Sequence, residues 1–150
     1  MALKALEDQV AVDRRRDTVL LLERFVAATA RAHEFSAWLE RSLPERFRAG
    51  VPSELFHRYW TANRASASLE APGRIHNRPV RRVREIRETA IPRAGGIYSV
   101  SRVGFSAGQD SALVTVSFAC RGLCGSDDLY LYVKQGSGWQ RRRTLLSMVH

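Results

Sequence analysis

The chain has 150 residues, 45% apolar and 26% charged, with 24 basic side chains, 15 acidic ones and two cysteines. One ordinary domain with a real core fits that arithmetic, and disordered, fibrous and disulfide-scaffold classes do not. The charge is +9, yet only Lys4 and Lys134 are lysines beside 18 alanines; such an Arg/Ala bias is what a GC-rich genome writes, so charge alone says little about nucleic acid.

From the N-terminus, residues 3–43 predict one helix. Leu21, Phe25, Ala28, Ala32, Phe35 and Leu39 recur at spacings of three and four, Leu22, Val26 and Trp38 widen the stripe, and Pro44 closes it. The stripe is too short for a sustained coiled coil, so it is expected to pack on the domain's own sheet. Arg14-Arg15-Arg16 precedes Val19-Leu20-Leu21-Leu22, but Glu23 and Arg24 interrupt the run before it reaches secretory length. The chain therefore reads as cytoplasmic, or as exported if its true start lies upstream. No run approaches the ~18 apolar residues of a membrane span.

A second helix opens at Pro52, runs to about Ser68 and presents Leu55, Phe56, Tyr59 and Trp60; Ala71-Pro72-Gly73 breaks it. Residues 74–78 read as loop. From Pro79, the spacing of Val80, Val83, Ile86 and Ala90 predicts a short helix, with a strand as the alternative because β-branched residues dominate. Residues 41–94 carry a net +7, against −1 for 1–40 and +3 for 95–150. The basic surface belongs to the middle of the chain.

The period then changes to two. Strands are expected at Ile97 to Phe105, Ala112 to Cys120, Leu129 to Val133 and Trp139 to Val149, separated by turn chemistry. In the first, Ile97, Ser99, Ser101, Val103 and Phe105 share a face; in the third, Tyr130 and Tyr132 lie opposite Leu129, Leu131 and Val133. Helices first and strands after predict an α+β domain over 1–150, with N-terminal helices packed on a four-stranded antiparallel meander. Its three parts are a helical segment (1–50), a basic stretch of short helices and loop (51–94) and the sheet (95–150).

Few constellations carry chemistry. Gly104-Phe105-Ser106-Ala107-Gly108 matches G-x-S-x-G, but a strand and not a helix follows, so a hairpin turn explains Ser106 and no catalytic residue is assigned. Cys120 and Cys124 form a C-x3-C pair too small for a zinc site; they read as structural thiols that can close a small disulfide in an oxidising compartment. No metal or other cofactor is expected. Asp127 and Asp128, adjacent on an extended segment, point to opposite sides and serve a turn. The tract Arg78, Arg81, Arg82, Arg84, Arg87 and Arg93, with Arg141-Arg142-Arg143, suits phosphate, although Glu85 and Glu88 interleave as on a solvated face. Arg102, between serines in a strand, is expected beneath the long helix, where burial demands a carboxylate such as Glu54 or Glu70, or an anionic ligand.

Several of these residues carry a resemblance. Pro92, Gly95-Gly96-Ile97, Ser101-Arg102-Val103-Gly104-Phe105, Ala112-Leu113-Val114, Cys120 to Gly125, Leu131-Tyr132-Val133-Lys134 and Gly138-Trp139 resemble, in order and spacing, a family of small uncharacterised bacterial proteins. Asn63 resembles a recurrent asparagine on that family's preceding helix. The resemblance covers about residues 53–150 and implies an α+β fold without an assigned activity; many members look exported, which favours the disulfide. Ser126-Asp127-Asp128 departs from the family's glycine, and Leu145-Leu146-Ser147 lacks its closing tryptophan. By analogy of element order only, the fold is also similar to cone-shaped domains like nuclear transport factor two.

The expected function is a non-catalytic binding or interaction module for an unknown protein partner or a second copy of the chain. Its contacts are expected on the concave sheet face or the 120–128 loop, with Arg102, Tyr130, Tyr132 and Asp127. The alternatives are a small pocket enzyme, with Arg102 orienting an anion and Asp127 or His57 moving a proton, and a nucleic-acid binder through the 78–93 arginines, which is not favoured.

Overall fold

A computed structural model describes residues 1–12, 18–25, 34–70, 72–87, 91, 95–122 and 124–149. Four helices form among them: α1 (Ala2–Val12), α2 (Phe35–Ser42), α3 (Glu45–Arg48) and α4 (Ser53–Ala62). The strands are β1 (Val19–Leu22), β2 (Arg24–Phe25), β3 (Ala67–Ser68), β4 (Arg74–Ile75), β5 (Arg78–Val83), β6 (Gly96–Val100), β7 (Gly104–Phe105), β8 (Ser111–Cys120), β9 (Ser126–Gln135) and β10 (Gly138–Val149).

The fold is α+β, but the sheet is not the expected four-stranded meander. It has eight strands in the order β10-β9-β8-β6-β1-β5-β4, with β7 also on β8, while β2 and β3 pair separately. It is mixed, because β1 runs parallel to both β5 and β6. The long helix over 3–43 gives way to α1, β1 and α2. Val19-Leu20-Leu21-Leu22 is a short apolar run, which suits a strand covered on both faces as well as a helix. Val19 and Leu21 enter the core on the α1 side, and Leu20 and Leu22 pack on the other. Pairing on both edges decides the outcome.

Further along, α4 ends at Ala62 and not near Ser68, and the expected short helix from Pro79 is strand β5. The 74–78 segment is part of a tight hairpin in which Ile75 pairs with Arg78, and His76 and Asn77 take positive φ of 47° and 64°. That is the backbone of a two-residue turn matching strand twist. The hairpin is fastened to α1: a His76 ring nitrogen bonds the Glu7 carbonyl, and Arg78 donates to the Val10 carbonyl. Expectations resting on Arg14 to Arg16, Ala28, Ala32, Ala90 and Arg93 lie outside the described residues.

Helices cover both faces of the sheet. On α1, Ala2, Leu6 and Val10 repeat at i+4, and with Ala5 they pack on Tyr98, Val100, Ala112, Val114, Val116, Tyr130 and Tyr132. On the other face α2 and α4 place Trp38, Leu39, Leu55, Phe56, Tyr59 and Trp60 against Leu113, Leu129 and Leu145. No described helix is long and apolar enough to cross a membrane.

Between β6 and β7 the strand bulges. Val100 pairs with Val116 and Gly104 with Leu113, so four steps on one strand oppose three on β8. One extra residue flips the face of everything beyond it. Val103 therefore joins the α1-side core with Tyr98 and Val100, and leaves the face of Ile97. Immediately after the bulge α4 crosses Gly104 so closely that a Cβ there would lie 2.3 Å from Tyr59 Cα and 2.5 Å from Tyr59 N. Both obstacles are backbone, so Gly104→Ala is expected to cost about 3 kcal/mol in denaturant unfolding. Wild-type stability of that variant would mean that α4 does not seat there.

Candidate binding groove between helix α4 and strand β7

Helix α4 follows Pro52, whose extended backbone (φ −58°, ψ 134°) serves as the N-cap. Leu55, Phe56, Tyr59 and Trp60 form its buried stripe, which leaves His57, Arg58 and Thr61 on the outer face. Its C-cap is Asn63, wholly removed from solvent. The Asn63 carboxamide accepts from the Arg102 N–H at 2.8 Å and donates to the Arg102 carbonyl at 2.8 Å and the Tyr59 carbonyl at 2.9 Å. It thus supplies, at the bulge, the donor and acceptor that the sheet ladder would otherwise give Arg102. The Tyr59 and Thr115 hydroxyls share a hydrogen bond of 2.7 Å, and Thr115 N–H donates to Ser101 Oγ at 2.8 Å. Burial pushes the Tyr59 hydroxyl's pKa up, Asp127 adds to that, and bonds to Thr115 and Ser101 oppose it.

This junction leaves an open groove of about 450 Å³, lined by His57, Arg58, Thr61, Ala62, Val103, Gly104 and Phe105. Its walls are mainly apolar. Phe105 is 37% exposed, and its ring rests on Trp139 with centroids 5.7 Å apart. His57 stacks edge-on to Phe35 at 5.0 Å. One basic side chain, Arg58, lines the groove and is paired with Glu54 at 2.6 Å, and the exposed Arg102 precedes the lining residue Val103 in the chain.

The structure does not bring Arg102, Tyr130, Tyr132 and Asp127 together. Arg102 is exposed, because the bulge turns it out of the sheet; it is not buried under a helix and has no ion pair to Glu54 or Glu70 among the described residues. Tyr130 and Tyr132 are buried beneath α1, where their hydroxyls donate to Gln9 Oε1 at 2.5 Å and Asp8 Oδ2 at 2.6 Å. Lys4 pairs with the same Asp8, and the Arg141 guanidinium lies 5.0 Å from the Tyr130 ring centre. Asp127 alternates onto the opposite face, and it acts electrostatically on Tyr59. Asp128 is buried and accepts from Ser147 Oγ at 2.5 Å.

The remaining candidates have structural partners. Cys120 and Cys124 are joined in a disulfide with Cα atoms 5.8 Å apart. Ser106 Oγ donates to Asp110 Oδ1 at 2.6 Å and accepts from the Asp110 and Ser111 N–H groups, closing the β7–β8 turn. The Ser106 and Ser111 hydroxyls hold the Asp110 carboxyl's pKa below its usual range. In the basic tract Arg78 holds the end of α1, Arg84 meets Glu23 at 3.5 Å, and Arg87 meets Glu85 at 2.7 Å. Arg81 and Arg82 are exposed on β5. Arg143 is bonded to the Phe47 and Ala49 carbonyls at the end of α3.

Thr61, Val103 and Phe105 line the groove without having been expected as site residues. One signal for them was present: a glycine inside a strand, which marks a bulge or a close backbone approach.

The α1 junction sets a pH limit. Burial, then repulsion from Asp128, push the Tyr130 hydroxyl up to about 12, with Arg141 opposing. Tyr132 is also raised, by burial and then by Asp8. Both phenols are neutral in the fold; the stabilisation from Tyr130 is complete below the ordinary tyrosine value near 10 and is lost as pH rises through about 12, and the raised Tyr132 acts in the same direction. Unfolding free energy is expected to fall over that window while phenolate absorbance appears late. Tyr130→Phe should flatten the fall; an unchanged slope would place the sensitivity elsewhere.

No family model, curated protein or solved structure matches this chain.

Proposed function

We propose that the chain is a non-catalytic protein-interaction domain and that the α4–β7 groove is its contact surface. The observation that carries this reading is an apolar, open groove with a half-exposed phenylalanine, held on a rigid junction. Aromatic anchors in partly desolvated clefts are where association energy concentrates. The reading is also supported by the fate of the other candidates. Tyr130 and Tyr132 spend their hydroxyls on α1, and the sheet faces that a cone-shaped pocket would need are filled by helices. The disulfide-closed 120–124 loop is a second exposed element, in which Arg121, Gly122 and Cys124 are exposed.

Site-specific photocrosslinking in the producing cell tests the proposal. Benzoylphenylalanine at Phe105 is expected to give a discrete protein adduct, and the same probe at exposed Arg121 is expected to give none. Equal labelling from both positions, or none from Phe105, would overturn the groove as a contact surface.

A further inference from the structure

The groove has an edge as well as walls, and the edge says what shape of partner it takes. Ser106 N–H donates to the Ser111 carbonyl across the β7–β8 hairpin at 2.9 Å, and Gly104 pairs with Leu113. In an antiparallel ladder, inward-bonded pairs alternate with outward-facing ones. The backbone N–H and C=O of Phe105, between these two residues, therefore point away from β8. Among the described residues β7 pairs with β8 alone, so no described strand lies on that side. An apolar groove thus runs beside a free backbone donor and acceptor, which is the arrangement that accepts an added strand.

The charges decide the composition of that strand. Arg58 lines the groove and is paired with Glu54, the exposed Arg102 precedes the lining residue Val103, and Asp110 in the β7–β8 turn is held by the Ser106 and Ser111 hydroxyls. Asn63 holds the Arg102 backbone on both sides, so its side chain is presented from a fixed point. A second copy of a +9 chain would bring like charge to like. We infer that the groove binds an extended acidic segment of a partner protein, which pairs with the Phe105 backbone, buries one apolar side chain against Thr61 and Ala62, and sets carboxylates against Arg58 and Arg102. This inference rests on the groove being the contact surface.

The test pans a phage-displayed library of random dodecapeptides on the full chain and measures synthetic copies of the enriched sequences by fluorescence anisotropy. Enriched peptides are expected to carry several Asp or Glu around one aromatic or branched residue. Thr61→Tyr, on the exposed face of α4, should block the groove and weaken binding roughly tenfold or more. The Arg58→Glu/Arg102→Glu double variant should weaken it by a similar factor, and rising salt should weaken it in the wild type. Hydrogen exchange at the Phe105 amide should slow in the complex. Neutral or basic peptides that Thr61→Tyr still blocks would overturn the acidic class and leave the groove reading intact. No enrichment, or binding indifferent to Thr61→Tyr, would overturn both. Displacement of the peptides by polyuridylate at lower concentration would assign the rim to phosphate and overturn the inference.

Discussion

A bulge in a strand detaches one backbone N–H and C=O from the ladder, and this chain resolves that chiefly with Asn63, while the Ser101 hydroxyl also donates to the Arg102 carbonyl at 3.0 Å. Asn63 offers Arg102 an acceptor and a donor at 2.8 Å each, and spends its second amide hydrogen on Tyr59. An unsatisfied group at such a site costs about 1–3 kcal/mol. The same three bonds tie the end of α4 to the sheet, so helix placement and strand irregularity are one constraint. Gly104 completes it, since only a residue without Cβ lets the Tyr59 backbone approach this closely.

The consequences reach both layers. Because the bulge shifts the pairing by one residue, Val103 passes to the α1 side and Arg102 is turned outward. With α4 held across β7, the helix's outer face and the strand's open edge enclose the groove. On the far face α1 is fixed by apolar burial and by two tyrosine hydroxyls bonded to Asp8 and Gln9. That polar seam serves the fold. The groove lies away from it, beside the irregularity, in keeping with the tendency of bulges to occur where a surface is re-aimed.

What was legible in the sequence follows from which forces are local. Alternation in residues 111–135 and the stripe on α4 are local patterns, and they appear as β8, β9 and the buried face of α4. The identity of β1 is not local: four apolar residues become a strand because β5 and β6 lie on either side. Pro79 to Val83 shows the same dependence, its helical spacing yielding to pairing with β1. The bulge was hidden because strict alternation from Ile97 to Phe105 assumes no extra residue; with it hidden, Arg102 was placed inside when it is outside. Asn63 was noticed only through resemblance, since nothing in its neighbourhood announces a partner 39 residues away.

The measurement that bears most directly on this account is the unfolding free energy of Asn63→Asp. The substitution keeps size and the acceptor for the Arg102 N–H, but replaces the donor serving the Arg102 and Tyr59 carbonyls with an oxygen. The account predicts a loss of about 3 kcal/mol or more at neutral pH. A loss under about 1 kcal/mol, within the range of an ordinary surface substitution, would show that the bulge and the seating of α4 do not depend on Asn63.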